Sequence, residues 1–243
     1  MKKIIQLFAF IISVNVFACK CAYQSFGERF ERREFIAEVE ILKTYNVDFN
    51  NGEDDRFYKA DIKILKLYKG KEIKNIVIKG KLKTDQLEEF YGGGDCSVFA
   101  KKGEKFLIYL TKDNDFIMNS CSYKVGLESS KIALERKALN FLIEKNIKKT
   151  NVYIGDLNLK LFSNSIEKDD FAIYKIIANH KGKIVDIRAV KNFKSSKSEE
   201  ILKSVKHSLV SNTKKQEKGY YMVLFFRKEE NKSLQEDGFS IWN

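Results

Sequence analysis

The residues of this chain best equipped for chemistry are few: four cysteines and two histidines among 243 residues. Cys19 and Cys21 stand one residue apart, directly after an apolar run, while Cys96 and Cys121 lie far downstream. Cysteines can crosslink a chain, attack a substrate or bind a metal, depending on compartment and neighbours. The histidines, His180 and His207, have no ligand-spaced partners and read as a turn residue and a surface residue. No HExxH, CxxC, GxSxG or phosphate loop occurs. Gly92-Gly93-Gly94 lacks the Gly-Lys-Ser/Thr that a phosphate loop requires, and reads as a loop before Cys96. No carboxylate pair is set apart from the acidic background. The expectation is a chain that is not an enzyme, needs no cofactor and holds no metal of its own.

The compartment follows from the first 18 residues. MKKIIQLFAFIISVNVFA has the parts of a secretory signal in order: Lys2 and Lys3, then the apolar stretch Ile4 to Val14, then Val16 and Ala18 before a cleavage point. At about 14 apolar residues it is shorter than the ~20 that span a bilayer. Cleavage after Ala18 would leave Cys19 at the mature N-terminus. The expected location is exported: periplasmic, extracellular or associated with an outer membrane. Val16-Phe17-Ala18-Cys19 also matches the lipoprotein signal loosely, so attachment to a membrane is expected only if Cys19 is lipidated. Lipidation would leave an odd number of cysteines in an oxidising compartment. Without it, four cysteines allow three connectivities. Pairing Cys19 with Cys21 would close a strained ring; the other two each tie the N-terminal strap to two distant points.

Composition narrows the partners. The hydrophobic fraction is 44%, and 13% of residues are aromatic, enough for a globular core. Charged residues make up 32%, with a net charge of +12. The lysines are scattered among Ile and Asn, and there is no proline where average usage of about 5% predicts roughly a dozen. That pattern fits a nucleotide bias of the genome. No basic stripe interleaved with aromatics is present, so nucleic acid is not an expected partner.

These features must be positioned by two sets of elements. Ser25 to Arg33 is charged and reads as a helical turn. Phe35, Ala37, Val39 and Ile41 alternate along a half-buried strand, and residues 58 to 64 alternate again and run on to Gly70. Residues 47 to 55 are a turn cluster. Short strands are expected at Asn75 to Ile78, Phe106 to Leu110 and Phe116 to Asn119, with a turn at Lys101 to Glu104. About five strands joined by turns imply a small antiparallel barrel. Ile132, Leu134, Ala138, Phe141 and Leu142 then share one face of a helix between Leu127 and Lys145, and Asn146 to Asn151 reads as a linker. Strands at Phe171 to Ala178, Ile184 to Val190 and Tyr220 to Phe226 come next. Between the second and third, Ser196-Lys197-Ser198-Glu199 reads as a capping box opening a helix with Ile201, Leu202, Val205 and Leu209 on one face. The order is ββαβ. The expected domains are a signal peptide (1–18), a barrel (19–127), a helix and linker (128–154) and an α+β unit (155–243).

Taken together, Cys19-Lys20-Cys21 after the cleavage site, FIAEVEI, IKILKLYKG, GDCSVFAKKGEKFLIYL and NSCSYKVGL resemble, in order and spacing, the N-terminal domain of the tissue inhibitors of metalloproteinases. The resemblance covers about residues 19 to 127. It implies a netrin-like OB-fold barrel with the disulfides Cys19–Cys96 and Cys21–Cys121. It also implies a partner, a zinc metalloprotease. The α-amine and carbonyl of Cys19 would chelate the target's catalytic zinc in the position left open for water. Free α-amines titrate near pH 7.7–8.0, so zinc displaces their proton readily. Lys20 would enter the target's specificity pocket, and Gly94, Asp95 and Ser97 would line the contact. Lys20 is long and charged where that family carries a small or hydroxylated residue. The family's third N-terminal bridge is missing, and a cysteine-free unit replaces its disulfide-rich C-terminal half. That unit loosely resembles the C-terminal domain of TonB-type proteins. The other reading is an envelope protein-binding or assembly module on a netrin-like scaffold, with a lipid on Cys19.

Overall fold

The computed structural model describes residues 21, 24, 26–46, 57–80, 82, 97–129, 132–148, 160–167, 169–181, 183–210, 220–227 and 238–240. The chain divides into two compact units: Met1–Ala22 with Glu34–Leu127, and Tyr23–Arg33 with Glu128–Asn243. The segment Tyr23–Arg33, counted with the barrel from sequence, thus groups with the second unit. So does the stretch read as helix and linker.

The first unit is a closed five-stranded barrel. Its strands are β1 (Phe35–Asn46), β2 (Phe57–Lys69), β3 (Asn75–Lys79), β4 (Lys105–Asp113) and β5 (Asp115–Met118). They run in the order β1-β2-β3-β5-β4, and β4 returns to β1. Closure demands that β1 bend far enough to pair along both edges. Register shifts at Ile36/Ala37, Glu38/Val39 and Ile41/Lys43 against β2 supply that bend. Phe35 to Glu40 of the same strand pair with Leu110 to Lys105 of β4. A closed sheet leaves no long edge open to other chains. Asn114, at φ +58°, turns β4 directly into β5; asparagine tolerates this left-handed conformation better than most residues.

The core of the barrel follows the alternation read from the sequence. Phe35, Ala37, Val39 and Ile41 point inward with Tyr58, Ala60, Ile62, Ile76, Ile78, Ile108, Leu110 and Met118. At about 25 cal/mol per Å² of apolar area, such a cluster is the main stabilising term. The period of two does not hold everywhere. Ile36 and Glu38 on the other face of β1 are also buried, as are Leu107 and Tyr109 of β4. A sixth strand that the sequence pattern did not predict, β6 (Tyr123–Gly126), pairs with β4, and Tyr123 stacks edge-on against Tyr109 at 5.2 Å.

The second unit is a four-stranded antiparallel sheet with helices on both faces. Its order is β10-β9-β7-β8, formed by β7 (Asp170–Ala178), β8 (Ile184–Lys191), β9 (Tyr220–Arg227) and β10 (Gly238–Ser240). The expected ββαβ order is present, with β10 as an added edge strand. One face carries Ala172, Tyr174, Ile176, Leu224 and Phe226, packed with Ile201 and Val205 of helix α3 (Ser198–Val210). The opposite face meets α1 (Phe26–Arg32) and α2 (Ile132–Glu144). Phe26 packs edge-on against Phe225 at 5.0 Å, and Phe141 against Phe171 at 6.0 Å. Burial on both faces explains why FAIYKIIA shows no alternation.

Local chemistry sets the helix ends. α2 stops at Asn146, which takes φ +51°. The Asn146 N–H donates to the Ile143 carbonyl and the Ile147 N–H to the Leu142 carbonyl, a Schellman closure with Ile147 buried behind it. The expected capping box at Ser196 is displaced. α3 begins at Ser198, the Ser195 hydroxyl accepts from the Lys197 N–H, and the Ser198 hydroxyl donates back to the Ser195 and Phe193 carbonyls. Among the described residues, no helix is long and apolar enough to cross a membrane.

Candidate functional site

The cysteine end of the barrel is built by strand direction. β3 and β5 are parallel, with Val77 opposite Ile117 and Ile78 opposite Met118. Both therefore finish at the same end of the barrel. The Asn119–Ser122 turn after β5 and Gly80 after β3 accordingly lie at that end.

Cys121 sits in the Asn119–Ser122 turn. The Asn119 side-chain carbonyl accepts from the Cys121 N–H at 2.9 Å, the Ser122 N–H donates to the Asn119 carbonyl at 2.9 Å, and the Asn119 N–H donates to the Ser122 hydroxyl at 3.0 Å. Asn and Ser are the residues that close such turns through their own side chains. The turn aims Cys121 at Cys21, and the two form a disulfide with Cα atoms 5.1 Å apart across a sequence separation of 100. This is the pairing that the resemblance implied for Cys21. A bridge of this kind is compatible with an oxidising, exported compartment.

Beside that end runs the segment Ser97–Ala100. It belongs to no strand, yet it is fastened at successive positions. The Val98 N–H donates to the Lys79 carbonyl at 2.8 Å. The Tyr58 hydroxyl donates to the Val98 carbonyl at 3.2 Å and accepts from the Ala100 N–H at 3.0 Å. The Lys124 ammonium donates to the Phe99 carbonyl at 3.0 Å and lies 4.7 Å above the Phe106 ring. Val98 and Ala100 are buried. The approach is close enough to require glycine at position 80: at φ +151°, a Cβ there would stand 2.7 Å from the Val98 carbonyl oxygen.

Burial shapes the electrostatics of both fasteners. It pushes the Tyr58 phenol up to about 12, against the opposing effect of the Ala100 N–H. It pulls the Lys124 ammonium below the ordinary lysine value, while the Glu104 carboxylate works the other way. Tyr58 thus stays protonated at any physiological pH and keeps its donor.

Of the residues predicted for the site, Ser97 lies in this pinned segment, half-buried. Cys19, Lys20, Gly94, Asp95 and Cys96, and with them the expected Cys19–Cys96 bridge, lie outside the described residues. Tyr58 and Lys124 were not predicted. The only sequence signal for Tyr58 was a hydroxyl at an inward-facing strand position, which must find a partner when buried. His180 and His207 are exposed, in the β7–β8 turn and near the end of α3. Among the described residues, no group of three or more His, Cys, Asp or Glu could hold a metal ion. Compared with known proteins, the chain matches no protein-family model and no curated protein.

Proposed function

We propose that this chain is an exported inhibitor of a zinc metalloprotease, of the tissue-inhibitor type, acting through the amine and carbonyl of Cys19. The observation that carries the reading is the Cys21–Cys121 disulfide at the barrel end where β3 and β5 both finish. It ties the strap to the end that Ser97–Ala100 borders. Only two residue steps of chain, at most about 7 Å, separate Cys19 from that anchor. An N-terminal amine held on so short a tether has little entropy left to lose on binding a metal. The ring order β1-β2-β3-β5-β4, with five strands, supports the OB-fold, netrin-like assignment. In this reading the Cys19 amine, deprotonated, takes the open zinc position, Lys20 enters the neighbouring pocket, and Gly94, Asp95 and Ser97 line the contact.

Lys20 favours a second reading, an envelope protein-binding module on the same scaffold with a lipid on Cys19. A barrel by itself does not decide between them. Mass spectrometry of the mature N-terminus does. The inhibitor requires a free amine on Cys19 and two intact disulfides; a diacylglyceryl group or an uncleaved signal ends it. A chain carrying one alanine before Cys19 tests the chemistry directly. Inhibition of a zinc protease must vanish in it, because the Cys19 nitrogen becomes an amide and the free amine moves one residue away from Cys19.

A further inference from the structure

Ser97–Ala100 is an irregular segment that belongs to no strand ladder, so its buried backbone groups need partners from elsewhere. Here the barrel commits two polar side chains from different strands, each drawn out of water to reach it. Tyr58 rises from β2 and uses its hydroxyl as donor and acceptor, to Val98 and Ala100. Lys124 reaches across from β6 to the Phe99 carbonyl between them. Desolvating a phenol and an ammonium carries a penalty, which these hydrogen bonds offset. What the arrangement gains over apolar packing is direction: a hydrogen bond fixes the rotation and height of a backbone, whereas a methyl contact tolerates sliding.

We propose that Tyr58 and Lys124 are positioning residues, a two-sided clamp that holds Ser97–Ala100 as a preformed rim beside the Cys21–Cys121 bridge. The use of the rim, as the second edge that a target protease meets, rests on the inhibitor reading; the clamp itself rests on the hydrogen bonds to Val98, Phe99 and Ala100. Preorganising a binding edge lowers the entropy lost on association, so loosening the clamp weakens binding without removing any contacting atom.

The test uses the full mature chain with Tyr58→Phe, Lys124→Met and Lys124→Arg. Amide hydrogen exchange is followed at Val98 and Ala100, with Ala60 and Ile62 in β2 as internal references. Inhibition is measured against a matrix metalloproteinase catalytic domain as probe. Tyr58→Phe and Lys124→Met are expected to speed exchange at Val98 and Ala100 about tenfold while the β2 amides keep wild-type rates, and to weaken inhibition by a similar factor. Lys124→Arg, which keeps a cationic donor, is expected to restore both. Wild-type exchange at Val98 and Ala100 in both disruptive variants overturns the clamp. Faster exchange with unchanged inhibition overturns its role in binding. If the wild-type chain does not inhibit the probe, the inhibitor reading fails against that enzyme, and local exchange alone then decides the clamp. Should Tyr58→Phe unfold, Lys124→Met carries the test, because Lys124, unlike Tyr58, is not a member of the buried barrel cluster.

Discussion

The guanidinium of Arg29 in α1 and the carboxylate of Glu135 in α2 meet at 3.4 Å, each side chain only 4% exposed. Arg29 also donates to the Gln24 carbonyl at 2.8 Å. The pair joins the short helix after the N-terminal strap to the helix after the barrel, 106 residues later. Burying two charges is costly, so the pair does more to fix which helix meets which than to add net stability.

Removing one partner and removing both should therefore differ in effect. Glu135→Gln removes the carboxylate that faces a buried cation and should destabilise the second unit by about 3–5 kcal/mol. Arg29→Met with Glu135→Leu should recover most of that loss. Urea unfolding of Arg29→Met, Glu135→Leu and the double variant, beside Glu135→Gln, measures the coupling. Additive losses would show that the two charges do not act as a pair.

Reduction of the Cys21–Cys121 bridge, or Cys121→Ser, should cost the barrel about 2–5 kcal/mol, because the bridge closes a loop of 100 residue steps in the unfolded chain. Thermal melts of wild type and Cys121→Ser, both without reductant, read this directly. The reduced protein should also release the strap, seen as faster exchange at the Cys121 amide, whose acceptor is the Asn119 side chain.

Two glycines with positive φ separate strain from collision. Gly103 has φ +86° and open space around its missing side chain, so Gly103→Ala should cost about 1 kcal/mol from backbone strain alone. At Gly80 the new Cβ would also press on the Val98 backbone, at 2.7 Å from its oxygen and 3.2 Å from its nitrogen. Gly80→Ala should cost about 3 kcal/mol and loosen Ser97–Ala100. Equal losses at the two positions would mean that the contact with Val98 relaxes freely.

Alkaline pH should weaken the barrel through Tyr58. Its phenol titrates at 10.0 in the ordinary state and is pushed up to about 12 when folded. The unfolded chain therefore loses this proton first. Stability from Tyr58 is complete below pH 10 and falls as pH rises toward 12, by on the order of 1–2 kcal/mol. Tyr58→Phe should flatten that part of the stability curve. A variant whose alkaline loss matches wild type would place the titrating group elsewhere. Tyr45 of β1, raised by burial first and by its hydrogen bond to Asp61 second, is the next candidate in the barrel.

The barrel was legible chiefly through its two longest strands. β1 and β2 alternate over enough residues for a period of two to show, and the core takes the face that the pattern named. β6 was not legible: it has four residues, none fully buried and none fully exposed, so no period forms. Nor was the role of α1. FGERFER reads as charged, yet Phe26, Arg29 and Phe30 fall at i, i+3 and i+4 on one buried face, and the middle residue is tolerated there because Glu135 meets it.

By itself the sequence determined a cysteine-bearing barrel and a cysteine-free α+β unit, because hydropathy and period are local properties of a chain. Only the tertiary structure decided that Cys21 pairs with Cys121, that Tyr23–Arg33 groups with the second unit, and that Tyr58 and Lys124 grip Ser97–Ala100. Each of these joins residues far apart along the chain. Such pairings are set by which strand ends and helix faces the closed barrel and the two-sided sheet bring together, and no local pattern of residues encodes that.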